Sequence, residues 1–188
     1  MAASEIMPSR SKPWLRHYDA DVPPALTYPE QPLYALLDEA ACRWPDRVAL
    51  IYQDTTLTYK QLVTLTDTWA AALAGLGLHP GDRAALLLPN LPQFIIGFYG
   101  ALKAGLVVVP LNPAYKEGEL AFYLALTGAQ CLLAQSAALP MLQNVLLQTQ
   151  VTRLILTEPG TPGSCRTGPR AGPRPHMPSP TRWAFWIC

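Results

Sequence analysis

The sequence predicts an α/β lobe built on a doubly wound, mostly parallel sheet, and three observations lead there. From residue 80 onward, strand-length and helix-length segments alternate. The strand segments are continuous apolar runs, such as Ala84-Ala85-Leu86-Leu87-Leu88 and Leu106-Val107-Val108-Val109, as expected where helices cover both faces of a parallel sheet. Half of the 188 residues are hydrophobic and only 14% are charged, enough apolar surface for a sizeable core.

Each element follows from local chemistry. Residues 1–29 hold five prolines and no sustained period, and read as an extension. Pro32 suits the first turn of a helix continued by Leu33, Leu36, Leu37, Ala40, Ala41 and Trp44. Val48–Tyr52, a polar turn at residues 53–56 and Leu57-Thr58-Tyr59 suggest a hairpin. Leu62, Leu65, Trp69, Leu73 and Leu76 write a second amphipathic helix that Gly77 closes. Next come a strand over 83–88, a helix from about Gln93 to Ala104 stopped by Gly105, and a strand over 106–109 stopped by Pro110. A helix over 116–127, a strand over 130–134, a helix over 138–149 and a strand over 153–157 complete the alternation. Leu86, Leu88, Val107, Val109, Leu132 and Ile155 are the expected buried strand positions.

Composition splits the chain near residue 158. All 13 acidic residues and ten of the 14 basic ones lie in residues 1–158, a sum of −3. Residues 159–188 hold Arg166, Arg170, Arg174 and Arg182 and no acid, a sum of +4. Seven of the 20 prolines fall there too. Such a stretch cannot bury enough surface to offset its ordering entropy, so a disordered tail is expected. The resulting division is a 1–29 extension, a 30–158 lobe and a 159–188 tail.

The net charge of +1 excludes nucleic-acid or polybasic membrane binding as the main theme. No transmembrane segment is expected, because Pro89, Asn90, Pro92, Gln93 and Lys103 interrupt the uncharged and apolar stretches around them. The N-terminus lacks the apolar core of a secretory signal. Cys42, Cys131, Cys165 and Cys188 have no metal or disulfide spacing and suit a reducing compartment, so a cytoplasmic location is expected.

No catalytic, cofactor-binding or metal-binding residue emerges from the residues themselves. Gly75-Leu76-Gly77 closes a helix, whereas a dinucleotide loop must follow a strand and open one. Gly160-Thr161-Pro162-Gly163-Ser164 has no Lys, and its proline lacks an N–H for phosphate. His17, His79 and His176 have no nucleophile or acid at interpretable spacing. Glu117 and Glu119 suit a first helical turn, and Lys103 suits a last one. Trp14, Trp44 and Trp69 read as packing or surface residues.

The order of short motifs carries more. Arg43-Trp44-Pro45-Asp46-Arg47-Val48-Ala49 resembles the opening of the AMP-forming acyl-CoA synthetase and adenylation superfamily. Leu57-Thr58-Tyr59-Lys60-Gln61-Leu62 is similar to that family's first core motif, with Gln61 where Glu is common. Gly77-Leu78-His79-Pro80-Gly81-Asp82-Arg83-Ala84 resembles its entry into the next strand, and residues 102–113, from Leu102-Lys103-Ala104-Gly105 to Leu111-Asn112-Pro113, its second core motif. Asn112 is more like acyl-CoA synthetases than peptide-synthetase adenylation domains, which usually carry Asp there. The resemblance covers about residues 30–157, only the opening lobe of a family member.

It implies a reaction in which ATP and Mg²⁺ activate a fatty or other carboxylic acid as its adenylate, with coenzyme A then taking the acyl group. That chemistry needs cations and aligned N–H donors to offset charge as one anion attacks another. The family supplies them from a Ser/Thr/Gly-rich loop ending in Lys and from a C-terminal Lys, and this chain shows neither. The resemblance therefore implies a truncated synthetase fragment, inactive alone, that binds none of these cofactors tightly. A non-catalytic interaction module pairing with a partner chain is the alternative, and a nucleotide-binding enzyme of another Rossmann-like type is a third reading.

A coding sequence rich in G and C yields Pro, Gly, Ala and Arg when read out of frame, which is the composition that begins after Glu158. Reading the gene's other two frames beyond that codon is expected to recover a Ser/Thr/Gly-rich loop ending in Lys. If neither frame, nor a nearby exon, continues the family pattern, the truncation reading fails.

Overall fold

In the computed structural model, residues 12–158 are described. The chain divides into two units, 1–31 and 32–188. In the first, Pro13–His17 forms a single 3-10 turn with Pro in its opening positions, and Trp14, Tyr18, Val22, Leu26 and Tyr28 are exposed.

The second unit begins with helix α1 (Leu33–Arg43), for which Pro32 is the N-cap. Strands β1 (Val48–Tyr52) and β2 (Thr55–Thr58) form an antiparallel hairpin, tighter than expected, with Gln53 in the left-handed region at φ 50°. Helix α2 (Tyr59–Gly75) starts on a reciprocal cap. The Gln61 amide donates to Thr58 Oγ1 at 3.3 Å, and the Thr58 amide donates to Gln61 Oε1 at 2.9 Å. An amide oxygen serves this cap as a carboxylate would, so Gln61 in place of Glu costs the helix start nothing in geometry. Gly77, at φ 79°, takes the left-handed position after α2 that the sequence reading assigned to it.

Four parallel strands follow: β3 (Arg83–Leu87), β4 (Val107–Pro110), β5 (Cys131–Gln135) and β6 (Arg153–Thr157). Their order is β4-β3-β5-β6. Helices α3 (Pro92–Lys103), α4 (Glu117–Thr127) and α5 (Leu139–Leu146) make the crossovers. The chain steps from β3 outward to β4, then returns past β3 to β5 and β6. With right-handed crossovers this reversal puts α3 on one face and α4 and α5 on the other.

The side chains confirm the two faces. Ala85, Leu87, Leu132, Ala134, Leu154 and Leu156 pack with Leu120 and Leu124 of α4 and Leu142, Val145 and Leu146 of α5. The alternate positions Ala84, Leu86, Leu88, Cys131, Leu133 and Ile155 pack with Leu73 of α2 and Ala101 of α3. Ala84–Leu87 of β3 and Cys131–Ala134 of β5 are apolar throughout because the period-2 alternation finds a helix on either side.

Four of the six expected buried positions, Leu86, Leu88, Leu132 and Ile155, are buried, and Val109 is half-buried. Val107 is 52% exposed and corrects the expectation. It lies on β4, an edge strand, where helix cover is incomplete. The edge ends in Pro110, whose missing N–H limits pairing with another strand. The last helix is also shorter than expected: residues 136–138 form a 3-10 turn, and α5 stops at Leu146.

Helices α2 and α3 touch through a glycine. A Cβ on Gly100 would stand 2.5 Å from Trp69 Cδ1 and 2.9 Å from the Thr66 carbonyl oxygen, and one on Gly97 would meet Leu133 Cδ2 at 2.7 Å. Gly100→Ala is expected to destabilise the lobe by about 1–3 kcal/mol, because the backbone oxygen cannot yield without separating the helices. Urea unfolding followed by far-UV circular dichroism checks this, and an unchanged midpoint would refute the close-approach argument.

Candidate functional site

A parallel sheet of this order directs ligands to the carboxyl ends of its strands, beside the reversal between β3 and β5. Leu88-Pro89-Asn90-Leu91 leaves β3 there, and Ser136 follows β5. The polar groups on that edge engage one another. Gln93 Nε2 donates to the Glu158 carbonyl at 3.2 Å, and Ser136 Oγ donates to the Thr157 carbonyl at 3.3 Å. Leu88 and Leu91 are buried, and Pro89 and Pro92 have no N–H to offer. Among the described residues this edge provides neither a lysine nor a row of N–H donors for a triphosphate. On this edge the described residues thus assemble no donor set for the triphosphate of ATP.

The cations of the sheet sit at the opposite edge, where they cap helices. Arg83 Nε donates to the Gly128 carbonyl at 3.1 Å, just past α4, and Arg153 Nε donates to the Leu76 carbonyl at 2.9 Å, at the end of α2. Each guanidinium meets the negative end of a helix. Gln130 joins this edge by accepting from the Arg83 amide at 2.7 Å.

A third location is an open hollow of about 340 Å³ lined by Asp38, Cys42, Lys60, Thr64, Asp67 and Lys103, among others. Lys103, only 10% exposed, donates to Asp38 Oδ1 at 2.5 Å and to Asp67 Oδ1 at 2.6 Å. One ammonium thus joins α1, α2 and α3. Burial alone, the largest influence, would pull the Lys103 pKa down, but the hydrogen bonds and charges of Asp38 and Asp67 together outweigh it and hold it above its ordinary value. The sequence reading explained Lys103 by its place in the last turn of α3. Lys103 does sit in that last turn, and the structure adds two carboxylate partners from earlier helices. The available signal was a lone Lys in the otherwise uncharged helix α3, with an acid on each of two earlier amphipathic helices.

The remaining singled-out residues take local roles. Glu119 Oε2 accepts from the Lys116 amide at 3.1 Å, an N-terminal cap. Asn112 Oδ1 accepts from the Ala114 amide at 3.0 Å, a turn that an Asp oxygen would serve as well. Trp14 and Trp44 are exposed and Trp69 packs on the α2–α3 core. His17 and His79 are in the 3-10 turn and beside Asp82, whose Oδ2 accepts from the His79 amide at 2.8 Å. Burial pushes the Cys131 thiol up to about 12, leaving it inert, while Cys42 is exposed. His176, Cys165, Cys188 and the Gly160–Ser164 segment lie outside the described residues. No group of three or more His, Cys, Asp or Glu residues could hold a metal ion among the described residues, and no described helix is long and apolar enough to cross a membrane.

Residues 37–187 match the AMP-binding enzyme family. The chain belongs to that family. Its relatives include the long-chain-fatty-acid–CoA ligase of Yersinia pestis, 38% identical over 160 residues, which cover 84% of this chain and 28% of the ligase. The corresponding Bacillus subtilis ligase is 42% identical over 113 residues, 60% of this chain and 20% of that protein. The N-terminal domain of the Mycobacterium tuberculosis protein FACL13 superimposes with a TM-score of 0.62 at 32% identity, covering 65% of this chain and 32% of that one. A long-chain-fatty-acid-CoA ligase from Archaeoglobus fulgidus shares the fold, with a TM-score of 0.67 at 24% identity over 71% of this chain and 28% of the other. The chain therefore spans less than a third of the length of these curated relatives. The family match continues beyond residue 158, into the stretch that composition sets apart.

Lys103→Met is expected to lower stability by about 1 kcal/mol, since both carboxylates are partly exposed and regain water when the ammonium is lost. Because the folded pKa of Lys103 is raised, its contribution is present in full below the unfolded value of about 10.4 and fades as pH rises through the folded value. The difference between wild type and Lys103→Met in urea midpoint is therefore expected to be constant from pH 7 to 9.5 and to shrink above pH 10.5 or so. A difference that grows with alkalinity would contradict the clamp.

Proposed function

We propose that this chain is the opening lobe of an ATP-dependent acyl-CoA synthetase and does not carry out the ligation by itself. In the intact family the reaction joins a carboxylic acid to AMP and then to coenzyme A. What supports this reading is the extent of the match: 38% identity to a long-chain-fatty-acid–CoA ligase, confined to 28% of that protein. A fatty acid as the substrate of the intact enzyme accords with the names of those relatives, and a cytoplasmic setting is proposed on the cysteine spacing alone.

The division of labour follows from charge. Adenylation places an attacking carboxylate beside a polyanionic triphosphate, so a competent site must concentrate cations and N–H donors at one point. In this lobe Arg83, Arg153 and Lys103 are already committed to helix ends and to Asp38 and Asp67. The lobe's contribution is architectural: a rigid sheet with a carboxyl edge on which further elements can build. The stretch from 159 onward is proposed as a separate segment rather than part of this lobe, on the charge and proline shift at Glu158.

The test is carboxylate-dependent ATP–pyrophosphate exchange by the purified chain, using palmitate and Mg²⁺. No exchange above a protein-free control is expected. A signal requiring both palmitate and Mg²⁺ would overturn the proposal.

A further inference from the structure

Helix α4 is apolar on the side it turns to water. After Glu119 its sequence is Leu120-Ala121-Phe122-Tyr123-Leu124-Ala125-Leu126-Thr127, with no charged residue. Leu120 and Leu124 face the core, fully buried. Phe122 and Leu126 stand on the opposite side, 59% and 68% exposed, with Ala125 exposed between them. A surface helix ordinarily presents polar residues there, and one that is apolar all round is ordinarily covered. The stripe is bordered by charge, since the first turn holds Glu117 and Glu119 against one cation, Lys116.

The chain carries a segment of complementary chemistry. Residues 183–187, Trp-Ala-Phe-Trp-Ile, form an apolar cluster preceded directly by Arg182. Arg166, Arg170 and Arg174 lie upstream with no acid anywhere in 159–188, whereas residues 1–158 carry the excess of negative charge. The described chain ends at Glu158, at the end of β6. Residues 159–182 can span roughly 70 Å at about 3.1 Å per residue, well beyond the ~30 Å diameter of a small domain. A segment tethered in this way has an effective concentration on the order of millimolar at its own surface, so weak apolar contacts suffice to seat it.

We propose that Trp183–Ile187 docks in cis on the exposed Phe122–Ala125–Leu126 face of α4, with Arg182 directed toward Glu117 and Glu119. The aromatic rings cover the apolar stripe and the tail's positive charge opposes the acids of the first turn. The chain thereby covers with its own terminus a helix face that would otherwise favour association. This inference is independent of the enzymatic reading, since it rests on the chemistry of one helix face and one segment.

A nitroxide on Cys188 tests it, in the full-length chain with Cys42→Ser and Cys165→Ser, the buried Cys131 being unreactive. Amide resonances of residues 119–126 are expected to lose intensity by about fivefold or more, the loss being relieved by combined Trp183→Ser, Phe185→Ser and Trp186→Ser. These changes lie outside the described residues, and an unchanged urea midpoint checks that the lobe stays folded. Phe122→Glu, read in parallel, should also relieve the loss. Uniform broadening, broadening centred on another element, or persistence of the effect in the serine variant would each overturn the proposal. So would broadening in a mixture of isotope-labelled, nitroxide-free chain with nitroxide-bearing unlabelled chain, which would assign the face to a second copy.

Discussion

Everything in this lobe depends on a parallel sheet whose two faces are both apolar. Such a sheet has no side that tolerates water, so each strand must be followed by a helix and the helices must be shared between the faces. The reversal from β4 back past β3 to β5 is the topological form of that sharing. It places Leu86 and Leu133 toward α2 and α3, and Leu87 and Leu132 toward α4 and α5, one residue apart along the same strands. The same demand explains why Gly97 and Gly100 bear no side chain. Helix α3 must approach both the sheet and α2, and a Cβ at either position would occupy space already taken.

That constraint also decides where charge resides. With the interior apolar, cations collect at the lobe's margins and bond to what folding leaves unpaired there. Arg83 and Arg153 take the C-cap carbonyls of α4 and α2, and Lys103 takes Asp38 and Asp67 across three helices. These bonds stabilise a scaffold and leave those cations committed. They belong to a chain that spans under a third of the ligases it resembles.

Much of the fold was legible in the residues. Strand and helix positions followed from apolar runs and from Gly77, Gly105 and Gly128, all of which take positive φ at helix ends. The family was legible because short motifs recurred in order, and two of them make local bonds: a reciprocal cap at Thr58 and Gln61, a turn at Asn112. Less legible was the end of α5, where Leu147, Gln148 and Thr149 continue the apolar-polar pattern without remaining helical. Periodicity measures which residues want one face, and a turn can satisfy that as readily as another helical turn.

The sequence by itself determined the class of fold, the order of its elements and the family, because each rests on neighbours along the chain: apolar runs, glycines at helix ends and motif order. Only the tertiary structure decided which strand lies at the edge. Val107 and Leu86 sit in equally apolar runs, yet Val107 is exposed on β4 and Leu86 is buried on β3, because exposure depends on strand order and no local pattern encodes it. The Lys103 clamp was decided the same way. Its partners lie 65 and 36 residues away and meet it only after α1, α2 and α3 have packed.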